Sequence, residues 1–164
     1  MTVIEGPTST IAATVRLVAA VAKSGNVSYA EIVSSIPAAS VGPDARDRID
    51  ELIETASAAM QTIGGARLAK VVVVLNPADP PMAIRNTVYC LIDGDADRHV
   101  IAGDLNTVVT QVSADVPGYR LKQEIQFESV SADNPLHIPE IGSFTGTKVT
   151  ALIEVATESS GLPT

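Results

Sequence analysis

Residues 43–75 read PDARDRIDELIETASAAMQTIGGARLAKVVVVL, and this stretch decides the fold class. Its first part repeats apolar residues at helical spacing. Ile49, Leu52, Ile53, Ala56, Met60 and Ile63 form one stripe. Pro43 suits a first helical position. Asp44, Asp47, Asp50 and Glu51 come early, where the helix dipole favours negative charge. Gly64 and Gly65 end the helix, which is predicted over 43–63. The β-branched run from Lys70 to Leu75 then reads as a buried strand. A long amphipathic helix leading into a strand points to an α/β unit.

The flanks extend this pattern. Residues 27–36 alternate, with Tyr29, Glu31 and Val33 on one face and Ala30, Ile32 and Ile36 on the other, so a strand is predicted there. Ahead of it, Ile11, Val15, Val18 and Val21 recur at helical spacing over 9–22. Ser9 and Thr10 are candidate N-caps, and Ser24-Gly25-Asn26 is the stop. On the other side, Asn76 to Pro81 is a rigid connection, and Arg85 to Ile92 is a further strand closed by Asp93-Gly94-Asp95. A third helix is predicted over 98–115, with Ile101, Leu105, Val108 and Val112 facing inward, followed by a turn at Pro117-Gly118. Arg120, Lys122, Glu124, Gln126 and Glu128 alternate with Leu121, Gln123, Ile125 and Phe127, the pattern of a strand with one charged face. A loop rich in Pro and Gly runs through Pro135, Pro139 and Gly142 to a last strand over 147–156.

The expected architecture is therefore α/β (α+β): one domain over 1–164, with flexible ends at 1–8 and 157–164. A mixed sheet of about five strands carries three helices on one face. The other face needs a cover, and a homodimer of C2 symmetry through that open sheet face is the expected solution.

Composition narrows the function classes. The formal charge is −8, and only 3% of residues are aromatic. An acidic chain without stacking platforms is a poor nucleic-acid partner and a poor match for an anionic membrane. No apolar run approaches a membrane span, and the first residues lack the basic and apolar regions of a signal peptide. Cys90 is the only cysteine, which fits a reducing, cytoplasmic compartment.

A set of short runs carries a resemblance. They are Val18-Ala19-Ala20-Val21, Ser28 to Val33, Ser40 to Arg46, Ile49-Asp50-Glu51, Gly64-Gly65-Ala66, Leu75 to Pro81, Arg85 to Tyr89, Val116 to Gln123 and Pro135 to Pro139. In order and spacing over about residues 9–156 they resemble the acylating acetaldehyde dehydrogenases. The resemblance implies the substrate and dimerisation half of such an enzyme, with a fold like the C-terminal domain of glyceraldehyde-3-phosphate dehydrogenase. It also implies a nucleotide-binding half with a Gly-rich turn for NAD. No GxGxxG occurs in this sequence, so a stand-alone variant without that half is expected.

The family's chemistry needs a cysteine thiolate that attacks the aldehyde, and coenzyme A then takes the acyl group. Counting back from Val18-Ala19-Ala20-Val21, the family's cysteine falls on Ser9, and the glycines after it on Thr10 and Ile11. A serine without a general base is a weak nucleophile. A helix cap is the competing role for Ser9. The family's Arg-Asp pair falls on Arg85 and Asn86, and an amide cannot take up a proton as a carboxylate does. Cys90 lies in an apolar strand and reads as core. His137 is the best acid–base candidate by its unperturbed pKa, with a structural hydrogen bond as the alternative. His99, at a helix start, reads as solvated. Tyr29, Tyr89 and Tyr119 read as packing groups, or as phenols lining a former aldehyde pocket. The Ser40-Val41-Gly42-Pro43 loop is either an anion-friendly helix start or a plain cap. Asp47, Asp50, Glu51 and Glu54 read as a solvated helix face, and no metal or cofactor is expected.

Three functions follow as expectations. One is a cofactor-independent non-redox enzyme of cyclase, isomerase or aldol type in specialised metabolism. It would act on a small-molecule ligand through Asn86, Arg85, His137, Tyr29 and Ser9. The second is a non-catalytic dimerisation or partner subunit. The third is a split or excised piece of a working dehydrogenase.

Overall fold

A computed structural model describes residues 5–37, 45–76 and 83–156. The three helices are α1 (Glu5–Ala22), α2 (Ala45–Thr62) and α3 (Arg98–Asp115). The long strands are β1 (Val27–Pro37), β2 (Leu68–Asn76), β3 (Ala83–Asp93) and β8 (Gly146–Ala156). Short strands β4 (Arg120–Leu121), β5 (Gln126–Val130), β6 (Leu136–Ile138) and β7 (Gly142–Phe144) lie between β3 and β8 in the chain. The main sheet has six strands in the order β2-β1-β3-β8-β4, with β5 also pairing β8. The mixed α/β architecture expected from the sequence is present.

Among the described residues, only β1 and β2 are parallel; the other pairs of the main sheet are antiparallel. Parallel neighbours need a crossover, and α2 supplies it between β1 and β2. The strand period then sorts side chains onto two faces. Ala30, Ile32 and Ile36 on β1, Val88 and Cys90 on β3, and Val149, Ala151 and Ile153 on β8 share one face and are buried. Most of them join Ile11, Val15 and Val18 of α1 and Ile101, Leu105 and Val112 of α3 in the main core. α1 lies over β1 and β3, α2 over β2, and α3 beside α1. Asp97 caps α3, its Oδ1 accepting from the Val100 amide 3.1 Å away.

Among the described residues, the opposite face carries no helix. At one end of it, Tyr29 and Leu91 are buried beneath the β6–β7 hairpin with Val130 and Phe144. Beyond that end a row runs across four strands in register: Val72, Val33, Thr87 and Leu152. All four are half-buried. Gly146, which starts β8, has φ +144°, and a Cβ there would strike the Ile92 carbonyl oxygen and the Gly94 amide nitrogen. That position requires glycine.

Several expectations change. α1 starts at Glu5, so Ser9 and Thr10 lie inside the helix and do not cap it. Ile63 follows the end of α2 and is 70% exposed, so it leaves the α2 stripe. β2 is an edge strand rather than a buried one, with Val74 and Leu75 nearly half exposed. Its β-branched run satisfies one partner strand and one helix-facing side only. The strand predicted over 120–128 is broken between Leu121 and Gln126, because β4 and β5 pair different parts of β8. The loop predicted before the last strand contains the β6–β7 hairpin. Residues 5–8, expected in a flexible end over 1–8, open α1 instead. The expectations for the Ser40 to Pro43 loop, the Pro77 to Pro81 connection, and residues 1–4 and 157–164 of the expected flexible ends lie outside the described residues.

Candidate functional site

Asn86 sits on β3 with its side chain on the helix side and no exposed surface. Its Nδ2 donates to Thr14 Oγ1 at 3.0 Å. Thr14, fully buried on α1, donates its own proton to the Thr10 carbonyl at 2.7 Å. The Tyr119 hydroxyl lies 3.0 Å from the same Thr14 oxygen. A hydroxyl has one proton and two lone pairs. Thr14 has spent its proton on Thr10, so the Tyr119 O–H is the donor in that contact. Thr14 Oγ1 is therefore saturated, giving once and accepting twice. Burial pushes the Tyr119 phenol up to about 12, although the Arg16 charge pulls the other way, so it stays protonated as a donor.

This network fixes the orientation of the Asn86 amide. Nδ2 must face Thr14, and Oδ1 points elsewhere. Oδ1 has no hydrogen-bond partner, and neither does Ser34 Oγ, which lies opposite Asn86 on β1. Both side chains are buried on the helix face. A buried polar atom left bare costs about 1–3 kcal/mol.

Ser9 is in the second turn of α1, and its side chain lies outside what the structure describes. It stands five residues before Thr14, about 7.5 Å along the axis at the helical rise. α1 thus brings the Ser9 turn and Asn86 to the same side of the sheet.

The other candidates lie elsewhere. Arg85 neighbours Asn86 in the chain and therefore faces the open side. Its Nε donates to Glu154 Oε2 at 3.0 Å. Glu154 also accepts from Arg120 at 2.6 Å and pairs with Lys122 at 3.4 Å. Burial alone would raise the Glu154 pKa, but the Arg85 and Lys122 cations reverse this and hold its carboxyl below the usual value. Tyr29 is buried on the open side and donates to Glu31 at 2.6 Å. Burial first, then Glu31, raises its pKa. His137 pairs with Ser143 in the hairpin and is exposed between Leu136 and Ile138, which pack inward. It lies in a strand and not in the loop expected for it. The five candidates are thus divided between two faces of the sheet.

Cys90 is buried on the helix face, and burial pushes its thiol up to about 12, which leaves it un-ionised and inert. Among the described residues, no group of three or more His, Cys, Asp or Glu side chains converges on one point. A cavity of about 440 Å³ lies between Arg67, Asp93 and the hairpin residues Glu140, Ser143 and Phe144, away from Asn86. The sequence reading did not single out Thr14 or Ser34. The signal was available for Ser34: a polar residue on the same strand face as Ala30, Ile32 and Ile36 has to be explained. Tyr119 was expected to pack or to donate a hydrogen bond, and it does both, to Thr14.

A family model described as prokaryotic acetaldehyde dehydrogenase, dimerisation, matches residues 10–163. A protein named probable inactive acetaldehyde dehydrogenase 1, from Mycolicibacterium vanbaalenii, is 55% identical over 151 residues, which is 92% of this chain and 48% of that protein. Acetaldehyde dehydrogenase 3 of Rhizorhabdus wittichii is 46% identical over 152 residues, again 92% of this chain and 48% of the relative. Acetaldehyde dehydrogenase 3 of Paraburkholderia xenovorans is 48% identical over 151 residues, with the same coverage. The chain spans about half the length of the curated relatives it matches.

Proposed function

Because the chain belongs to the prokaryotic acetaldehyde dehydrogenase dimerisation-domain family, we propose that it is a dimerisation unit that pairs through its open sheet face and has lost the family's acyl-transfer chemistry. The open face carries this reading. Three helices cover one side of the sheet, while Val72, Val33, Thr87 and Leu152 form a continuous half-buried row on the other. A second copy of the same face covers it by C2 symmetry. The loss of chemistry is supported by the Asn86 network, which uses the amide as a donor to Thr14. The name of the Mycolicibacterium vanbaalenii relative, probable inactive acetaldehyde dehydrogenase 1, agrees with it. The inert Cys90 offers no substitute thiolate. No helix among the described residues is long and apolar enough to cross a membrane. A reducing cytoplasmic setting fits the single buried thiol.

One observation favours a second reading, a cofactor-independent non-redox enzyme or small-molecule binder. Ser34 Oγ and Asn86 Oδ1 are buried polar atoms without a protein partner among the described residues, and buried polar atoms call for one. The division of Arg85, Tyr29 and His137 from Asn86 across the sheet weighs against a single constellation built from all five candidates.

Adding NAD or coenzyme A to the protein tests the loss of redox function. The expected result is an unchanged melting temperature and no aldehyde-dependent NADH formation, with or without an added nucleotide-binding chain. Stabilisation by either cofactor, or activity restored by such a chain, would instead support a split dehydrogenase.

A further inference from the structure

Ser34 and Asn86 are Cα partners in the β1–β3 ladder. Their side chains share the helix side of the sheet, and each residue has 0% of its surface exposed. Buried polar atoms in folded proteins nearly always have a partner, from the protein or from an ordered small molecule. Here two such atoms stand as cross-strand neighbours without one.

The sense of the hydrogen bonds limits what fits between them. The saturated Thr14 oxygen holds the Asn86 NH2. One Nδ2 proton of Asn86 is spent on Thr14, and the Asn86 atom still without a partner is Oδ1, which accepts and cannot donate. Ser34 offers a hydroxyl that does either. We propose that Ser34 and Asn86 form a binding site for one small hydroxyl group, which donates its proton to Asn86 Oδ1 and accepts the proton of Ser34. Water and a small alcohol share this chemistry. A carbonyl compound does not: it has no proton for Asn86 Oδ1 and would set lone pair against lone pair. The site is also uncharged, so it selects by the direction of its hydrogen bonds alone. This inference rests on the network beneath α1 and stands apart from the dimer reading, so either can fail without the other.

A high-resolution crystal structure of the full chain, with and without ethanol, tests it, together with NMR signals of the Asn86 carboxamide. The expected result is one oxygen within hydrogen-bond distance of both Ser34 Oγ and Asn86 Oδ1. If ethanol replaces that oxygen and shifts the carboxamide signals, the site takes alcohols; if the oxygen is unchanged, its hydroxyl is water. Acetone, a carbonyl that stays unhydrated, should leave the signals in place. Ser34→Ala should remove the bound oxygen. The proposal is overturned if Ser34 donates directly to Asn86 Oδ1 with nothing between them. It is also overturned if acetone shifts the signals as ethanol does, or if the oxygen persists at full occupancy in Ser34→Ala.

Discussion

At residue 86 stands an amide where the resemblance implies a carboxylate, and the surrounding atoms match the amide. Thr14 has two lone pairs to fill, and Asn86 fills one of them at 3.0 Å. Restoring the family's acid by Asn86→Asp therefore does not restore an active site. It removes a donor and buries a carboxyl beside an acceptor, at an expected cost of about 3 kcal/mol. Burial would raise that carboxyl's pKa in the folded protein. A raised pKa gives stability that is present at low pH and lost as pH rises through the folded value. The deficit of Asn86→Asp should therefore be small near pH 4 and grow towards neutrality, as denaturant unfolding at several pH values would show. An equal deficit at all pH values would mean that the carboxyl reaches solvent. The exchange at position 86 was legible in the sequence through the resemblance. Its reason was not, because Thr14 and Tyr119 meet Asn86 only after the chain has folded.

Among the elements, β8 joins the outer part of the sheet, and Glu154 is its polar anchor. Arg85 of β3, Arg120 of β4 and Lys122, just beyond β4, converge on this one carboxylate. All three cations are about half exposed, so solvent screening keeps the gain modest. The Glu154 pKa is lowered on folding. Its contribution is therefore present above the unfolded value of about 4.3 and lost as pH falls through the folded value. Acid unfolding should show this difference: Glu154→Gln should be less stable than the parent at pH 7, and the gap should close as pH falls through the folded value. A constant gap would assign the effect to packing. Helical and strand periodicity located all three helices and the four long strands. It missed the break between β4 and β5, because the alternation from Arg120 to Glu128 continues across a change of register against β8. It also missed the hairpin, whose strands β6 and β7 are too short to show a period. Edge position was equally hidden for β2, since the run from Lys70 to Leu75 looks the same with one neighbour or two.

Across the whole molecule, the two faces of the sheet divide the account. The helix side holds the core and the Asn86 network; the open side holds the Glu154 cluster, the Tyr29–Glu31 pair and the uncovered row from Val72 to Leu152. Three half-buried apolar residues and Thr87, aligned across four strands, make a surface suited to a second copy. Leu152 lies on this row, away from the Asn86 network and the hairpin cluster. Leu152→Arg should thus break association while leaving the fold intact, as circular dichroism would confirm. Sedimentation equilibrium of the full chain beside this variant is the most direct test. The account predicts twice the chain mass for the parent and a single chain mass for folded Leu152→Arg. A monomeric parent, or a dimer that Leu152→Arg leaves unchanged, would contradict it.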